Sequence, residues 1–202
     1  MVTTLNIQIE IVGTGMNLER PQSEAELEAI LRSAYGLALK NQGNQALALC
    51  DWLIEAQETL IPGRRQRAAV LEYLGKLSEA IIDLEFVVSR GSREPADLHA
   101  LGILYFKSGE MVLADTAFTS SLKLGAAARN AHYKNSSQLF RAQARLTRMD
   151  YKEALADAQQ LPDQYATYVP GLGMRSKEQI SVDAERELSR KEKTRFKFDR
   201  NT

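Results

Sequence analysis

The amino-acid sequence predicts an all-α fold of stacked helical hairpins, and three observations carry that prediction. Four segments align with one another at offsets of 32, 34 and 40 residues. Apolar residues recur within them at helical spacing, and Gly and Pro punctuate the chain at intervals suited to short helices. One column of the alignment holds Ala48, Ala80, Ala114 and Ala154, and a second, four residues on, holds Trp52, Leu84, Phe118 and Ala158. A third, Gly36, Ala68, Gly102 and Ala142, lies twelve residues before the first. Gly43, Gly75, Gly109 and Met149 fall between them.

Each column has a packing reason. Small residues belong where two antiparallel helices cross, because a larger side chain would force the backbones apart. The glycine after the first helix suits a left-handed C-terminal cap, which costs least without a Cβ. The large residue four places after the alanine fills the space between hairpins. Residues 95–128, where Leu101, Gly102, Tyr105, Gly109, Ala114 and Phe118 match in type and spacing, resemble the tetratricopeptide repeat (TPR). The resemblance implies a right-handed α-α superhelix of three to four TPR hairpins, at about residues 29–62, 61–94, 95–128 and 135–162. The flanking repeats depart from the pattern: Tyr35, Arg67 and Arg141 stand where the third has Leu101, and Arg145 replaces the aromatic at Tyr105.

The elements come in order along the chain. Residues 1–22 form an N-terminal extension in which Leu5, Ile7, Ile9 and Ile11 alternate with Asn6, Gln8 and Glu10, the pattern of a half-buried strand. A lone strand leaves its ladder unpaired, so it needs a partner. Residues 194–199, with Phe196 and Phe198 alternating against Arg195 and Lys197, are one candidate; a second copy, giving a homodimer, is another. Ser23 and Glu26 form a capping-box pattern opening the TPR domain, residues 23–162. Helices are predicted at about 24–41, 45–58, 64–74, 77–90, 96–108, 111–124, 135–148 and 151–161. They are split by Pro62, Gly63, Gly91, Pro95, Gly125 and Pro162. Residues 163–202 read as a loop through Tyr168, Pro170, Gly171 and Gly173, then a helix from about Lys177 to Lys193 with Ile180, Ala184 and Leu188 on one stripe, then a charged tail.

Bulk properties narrow the function. At 202 residues the chain suits one main unit. Its formal net charge of zero provides no global field toward nucleic acid or anionic membranes, although residues 1–62 are net acidic and residues 175–202 net basic. A single cysteine, Cys50, rules out an internal disulfide and fits a reducing compartment. No signal-peptide pattern and no membrane-spanning apolar run occur, so the expected location is the cytoplasm.

Chemical motifs are sparse. Gly13, Thr14 and Gly15 open like a dinucleotide-binding turn, but position 18 is Leu18 and no βαβ pattern comes after it, so an ordinary turn is the better reading. His99 and His132 have no Cys or carboxylate at metal-ligand spacing, and surface or groove positions account for both. Cys50 reads as a small buried hydrophobe. Arg190, Lys191, Lys193, Arg195 and Lys197 could contact phosphates, but Glu187, Glu192 and Asp199 dilute the patch. Neither a cofactor nor an enzymatic reaction is expected.

The TPR resemblance implies a partner-binding groove lined by the first helix of each repeat. Position by position it assigns Ser33, Leu37 and Asn41 from the first repeat, and Arg65, Gln66, Ala69 and Tyr73 from the second. The third supplies His99, Ile103, Phe106 and Lys107, and the fourth Leu139, Phe140 and Gln143. The carboxylate-gripping places of the family's co-chaperones hold Ser33, Leu37, Gln66, Ala96 and Ala100, so that clamp is absent. An apolar lining suits an amphipathic helix or an extended apolar segment, and the chain's own tail competes for the same groove. The expected function is a non-catalytic adaptor or chaperone holding another protein or peptide, similar in size and groove to the small bacterial TPR chaperones of type III secretion. An immunity or inhibitor protein acting through Glu24, Glu26 and Glu28 is the alternative, and a nucleic-acid binder acting through the basic tail is a further one.

Overall fold

The computed structural model describes residues 11–12, 15–16, 20–56 and 59–199, with backbone alone at 11–12, 15–16 and 194–199. The chain divides into two compact units, Met1–Ser89 and Arg90–Thr202.

In the first unit, β1 (Ile11–Val12) pairs antiparallel with β2 (Gly15–Met16). The end of the predicted strand therefore pairs locally, while positions 1–10, on which self-pairing or dimerisation would rest, lie outside the described residues. Helix α1 (Glu24–Leu39) opens as the capping pattern predicts: the Ser23 hydroxyl accepts from the Glu26 amide at 3.2 Å. The Glu26 carboxylate accepts not from the Ser23 amide, as a capping box would have it, but from the Gln22 amide one residue earlier, at 2.7 Å. Ile30, Ala34 and Ala38 form its buried stripe and pack on Ala46, Leu49, Cys50 and Leu53 of α2 (Gly43–Ile54). Helix α3 (Leu60–Tyr73) starts four residues before the predicted 64, with Pro62 and Gly63 inside its first turn. Proline is tolerated there because an N–H in the first turn has no intrahelical acceptor. Space is tight at Gly63, where a Cβ would sit 3.0 Å from that of Leu53 and 3.2 Å from the Ile54 backbone nitrogen. Helix α4 (Leu77–Ser89) packs on α3, completing the second hairpin.

The second unit holds α5 (Pro95–Lys107), α6 (Met111–Ala127), α7 (Lys134–Thr147) and α8 (Tyr151–Gln159) as two further hairpins. Leu104, Phe118 and Leu139 are among its fully buried side chains. The stretch read as a loop is a hairpin instead: β3 (Ala166–Val169) pairs antiparallel with β4 (Gly173–Ser176). Its three-residue connection closes with Leu172 N–H donating to Val169 O, and Gly171 and Gly173 take the positive φ that such a turn needs. Helix α9 (Lys177–Asp199) then packs on α8 and α7 with Ile180 and Ala184 fully buried, as the predicted stripe requires. Residues 194–199, read as a possible strand, are helical.

Every first helix ends in the same motif. In α3, Lys76 N–H donates to Leu71 O and Gly75 N–H to Glu72 O; in α5, Glu110 N–H donates to Tyr105 O and Gly109 N–H to Phe106 O. The pattern is a Schellman cap, with Gly75 and Gly109 left-handed at φ 77 and 85°. In α7 the left-handed residue is Met149, and in α1 it is Asn41 rather than the predicted Gly43. Aligning on these caps corrects the register of the first repeat by two residues. Its crossing residue is Ala34 in place of Gly36, and its second-helix pair is Ala46 and Cys50 in place of Ala48 and Trp52. All three of the new residues are fully buried. No heavy atom lies within 4 Å of a Cβ built on Gly36. The first two offsets then both become 34, the period of the repeat.

Candidate partner-binding surface

The corrected register moves the first repeat's assignment from Ser33, Leu37 and Asn41 to Leu31, Tyr35 and Leu39. Ser33 hydrogen-bonds back to Ala29 O, Leu37 packs on the α1–α2 core, and Asn41 is the cap, so these three serve the fold. Tyr35 and Leu39 are 38% and 55% exposed. Between α1 and α3 runs a shallow cavity of about 420 Å³ lined by Glu28, Leu31, Arg32, Tyr35, Gln66 and Ala69. Gln66 and Ala69, both assigned from the sequence, are among its lining. The Tyr35 and Tyr73 rings meet edge to face at 6.0 Å, and Tyr73 is half exposed. Arg65, also assigned, is half-buried. Leu31 and Tyr35, like Ser33 and Leu37, carry neither a cation nor an amide side chain.

In the second unit four of the assigned lining residues are closed off. Leu139 is fully buried, and Phe106, Phe140 and Gln143 are nearly so, which corrects their assignment to an open lining. Phe140 stacks on Phe118 at 5.7 Å and meets Phe106 edge to face at 5.6 Å. The chain's own hairpin covers Gln143, whose Oε1 accepts from Arg175 Nε at 2.9 Å; Arg175 in turn pairs with Asp183 of α9. Ile103 is half-buried and Lys107 is exposed. His99 is the fourth assigned residue of α5. Its Nδ1 meets Ser137 Oγ at 2.9 Å and its Nε2 meets Ser136 Oγ at 3.3 Å, with the Tyr133 ring 4.9 Å away. Burial, helped by nearby His132, pushes its pKa down to about 4, so it is a neutral packing group. Neither ring nitrogen meets a carboxylate.

Two buried carboxylates, unforeseen from the sequence, hold the hairpins. Asp83 of α4 accepts from Arg64 at 2.7 Å and from Arg67 at 2.6 Å, both on α3. Asp157 of α8 accepts from Arg141 and Arg145 of α7. The hydrogen bond to Asp83 raises the Arg67 pKa further above its ordinary value. Asp115 of α6 ties Arg145 and Arg148 at 3.0 and 3.1 Å. The substitutions of Leu101 by Arg67 and Arg141, which weakened the repeat pattern, are thus compensated sixteen residues later by Asp83 and Asp157; the third repeat has Ala117 there. Cys50 is buried in the α1–α2 core, and that burial pushes its thiol up to about 12. In the basic tail, Arg190 pairs with Glu187, and Lys191 caps Met149 O and lies over the Tyr151 ring, so part of the patch is engaged within the unit. Among the described residues no cluster of three or more metal-ligating side chains occurs, and no helix is long and apolar enough to cross a membrane.

These hairpins define a helical-repeat protein of the TPR fold. A TPR-like repeat protein described as a kinesin light chain of Podosopora anserina matches over 84% of this chain and 87% of its own, with 17% identity and a TM-score of 0.59. YrrB, described as a TPR protein with an unusual peptide-binding site, matches over 65% of this chain and 64% of its own at 17% identity and a TM-score of 0.54. MamA of Desulfovibrio magneticus RS-1 matches over 66% and 72% at 16% identity, with a TM-score of 0.55. The sequence matches no protein-family model and no curated protein.

Proposed function

We propose that the chain is a non-catalytic protein-interaction module, an adaptor or chaperone of the cytoplasm, that holds a partner polypeptide against the α1–α3 face of its first unit. The observation that carries this reading is the open strip of Leu31, Tyr35, Ala69 and Tyr73 around a shallow cavity. Aromatic and aliphatic side chains held on rigid helices bind at low entropic cost, and their burial contributes roughly 25 cal/mol per Å². An amphipathic helix or an extended apolar segment fits such a surface. The likeness to a TPR protein with a peptide-binding site supports the same reading. Glu28 and Arg32, paired at 3.1 Å on its rim, set orientation more than affinity.

The test is the double variant Tyr35→Glu with Tyr73→Glu, both at exposed positions. Proteins co-purifying with wild type from the native host are identified by mass spectrometry and remeasured with the purified variant. Loss of the partner with unchanged helical circular dichroism is the expected outcome. A folded variant that keeps every partner sinks the reading.

A further inference from the structure

The second unit contains a cavity that includes none of the assigned groove residues and arises where the repeat period breaks. The third and fourth alanines of the repeat are 40 residues apart instead of 34, and the extra residues lengthen α6 and its connection to α7. Helix α6 ends in its own Schellman cap, with Asn130 N–H donating to Gly125 O at 2.8 Å and Arg129 left-handed at φ 53°. The chain doubles back so closely that a Cβ on Gly125 would lie 2.8 Å from Asn130 O. Between this turn, the C-terminal half of α6, the start of α7 and Gln160 at the end of α8 lies a cavity of about 530 Å³.

Its chemistry is one-sided. The charged lining residues are Lys123, Arg129, Lys134 and Arg141, with no carboxylate among them. Arg141 is matched by Asp157, whereas Lys123, Arg129 and Lys134 have no ion-pair partner among the described residues. The α7 N-terminus adds its positive end, and its N-cap, Tyr133, makes no side-chain cap. Pro95, Leu122, Ala126 and Tyr133 supply an apolar wall with one aromatic ring. One polar atom is stranded: Gln138 lines the cavity, is 2% exposed, and its Oε1 has no hydrogen-bond partner among the described residues. A buried amide oxygen left this way is unfavourable, and a donor in the cavity would satisfy it once the Gln138 amide turns toward that space.

We propose that this cavity binds a small organic anion: a carboxylate or phosphate held by Lys123, Arg129 and Lys134, joined to an apolar ring body, and bearing an N–H that donates to Gln138 Oε1. Each demand comes from a different set of lining residues. The charge has three cations unmatched among the described residues, the ring has Tyr133 and its apolar neighbours, and the donor has Gln138 Oε1. The volume accommodates a small molecule of this kind. The site is distinct from the α1–α3 face, so it stands or falls independently of the partner-binding reading.

The experiment uses the full chain and three probes: N-acetyl-L-phenylalanine for an organic carboxylate, adenosine 5′-monophosphate for an organic phosphate, and inorganic phosphate for charge alone. Backbone amide shifts and calorimetry report location and affinity. One organic probe is expected to bind with shifts centred on residues 122–138, and whichever it is identifies the anion. Lys123→Ala with Arg129→Gln and Lys134→Ala, all exposed, should weaken it at least about tenfold, and Gln138→Met should weaken it by about tenfold. If Gln138→Met does not fold, Ala126→Trp, which fills the cavity from an exposed position, should abolish binding instead. The proposal is overturned if neither organic probe binds at about 10 mM, a concentration that reaches affinities of only a few kcal/mol. It is equally overturned if inorganic phosphate binds as tightly as the organic probe, or if the triple variant binds unchanged.

Discussion

Apolar first-helix residues are open in one unit and sealed in the other, and at one shared repeat position the contrast is direct: Tyr35 is 38% exposed while its counterpart Gln143 is buried. On α1 and α3, Tyr35, Leu39 and Tyr73 face outward; on α5 and α7, Phe106, Leu139 and Phe140 are buried around Phe118 and His99. The difference is one of neighbours. The second unit carries extra chain, β3, β4 and α9, and Arg175 bonds to Gln143 on the face that a partner would otherwise use. A repeat position therefore states which way a side chain points; the segments that come after it in the chain decide whether anything can reach it.

The largest test of that contrast is truncation of one aromatic on each side. Phe140→Ala should cost about 3–5 kcal/mol, as deletion of a buried ring does, whereas Tyr35→Ala should cost less than about 1 kcal/mol. Urea denaturation measures both, and equal losses would erase the distinction. Acid should also act through the closed face. His99, whose folded pKa of about 4 lies below its ordinary 6.5, stays neutral while the unfolded chain takes up a proton. Its stabilisation is full above pH 6.5 and is lost as pH falls to about 4, at most about 3 kcal/mol. Comparing urea midpoints at pH 7 and pH 4.5 in wild type and His99→Gln isolates it; an identical fall in both would assign the effect to other groups.

The smallest test concerns two glycines that the sequence placed in one column. A Cβ on Gly102 would lie 2.6 Å from the buried Phe118 ring, while a Cβ on Gly36 meets nothing. Gly102→Ala should cost about 1–3 kcal/mol through overpacking. Gly36→Ala should stabilise by up to about 1 kcal/mol through helix propensity alone. Thermal melts decide it, and destabilisation by both would restore Gly36 to the column.

The same particulars explain how much could be read beforehand. The hairpins were legible because Ala80, Ala114, Ala154 and the left-handed Gly75 and Gly109 have backbone reasons that leave few substitutes. The first repeat slipped by two because Gly36, Gly43, Ala48 and Trp52 imitate the pattern in the wrong phase; spacing from Ala80 back by 34 would have found Ala46. The β3–β4 turn was hidden by its brevity, although Pro170 and Gly171 between apolar residues are a hairpin signal. Burial of Leu139 and Phe140 had no local cue, because tertiary contacts decide their cover. The cavity beside Gln138 left only one trace in the sequence, the six-residue excess before the fourth repeat.

The Arg67–Asp83 and Arg141–Asp157 clasps have a consequence for how such a chain can grow. Each joins the two arms of a single hairpin, while the third hairpin has Leu101 and Ala117 at the same places. Copying a whole hairpin carries both halves of a clasp. A crossover in the middle would set an arginine opposite alanine or leave an aspartate buried without its cation, a loss of about 3–5 kcal/mol. Chimaeras cut between the arms of a clasped hairpin should therefore lose more stability than those cut between hairpins, where the exchanged ion pairs, such as that of Asp115 with Arg145, are less deeply buried.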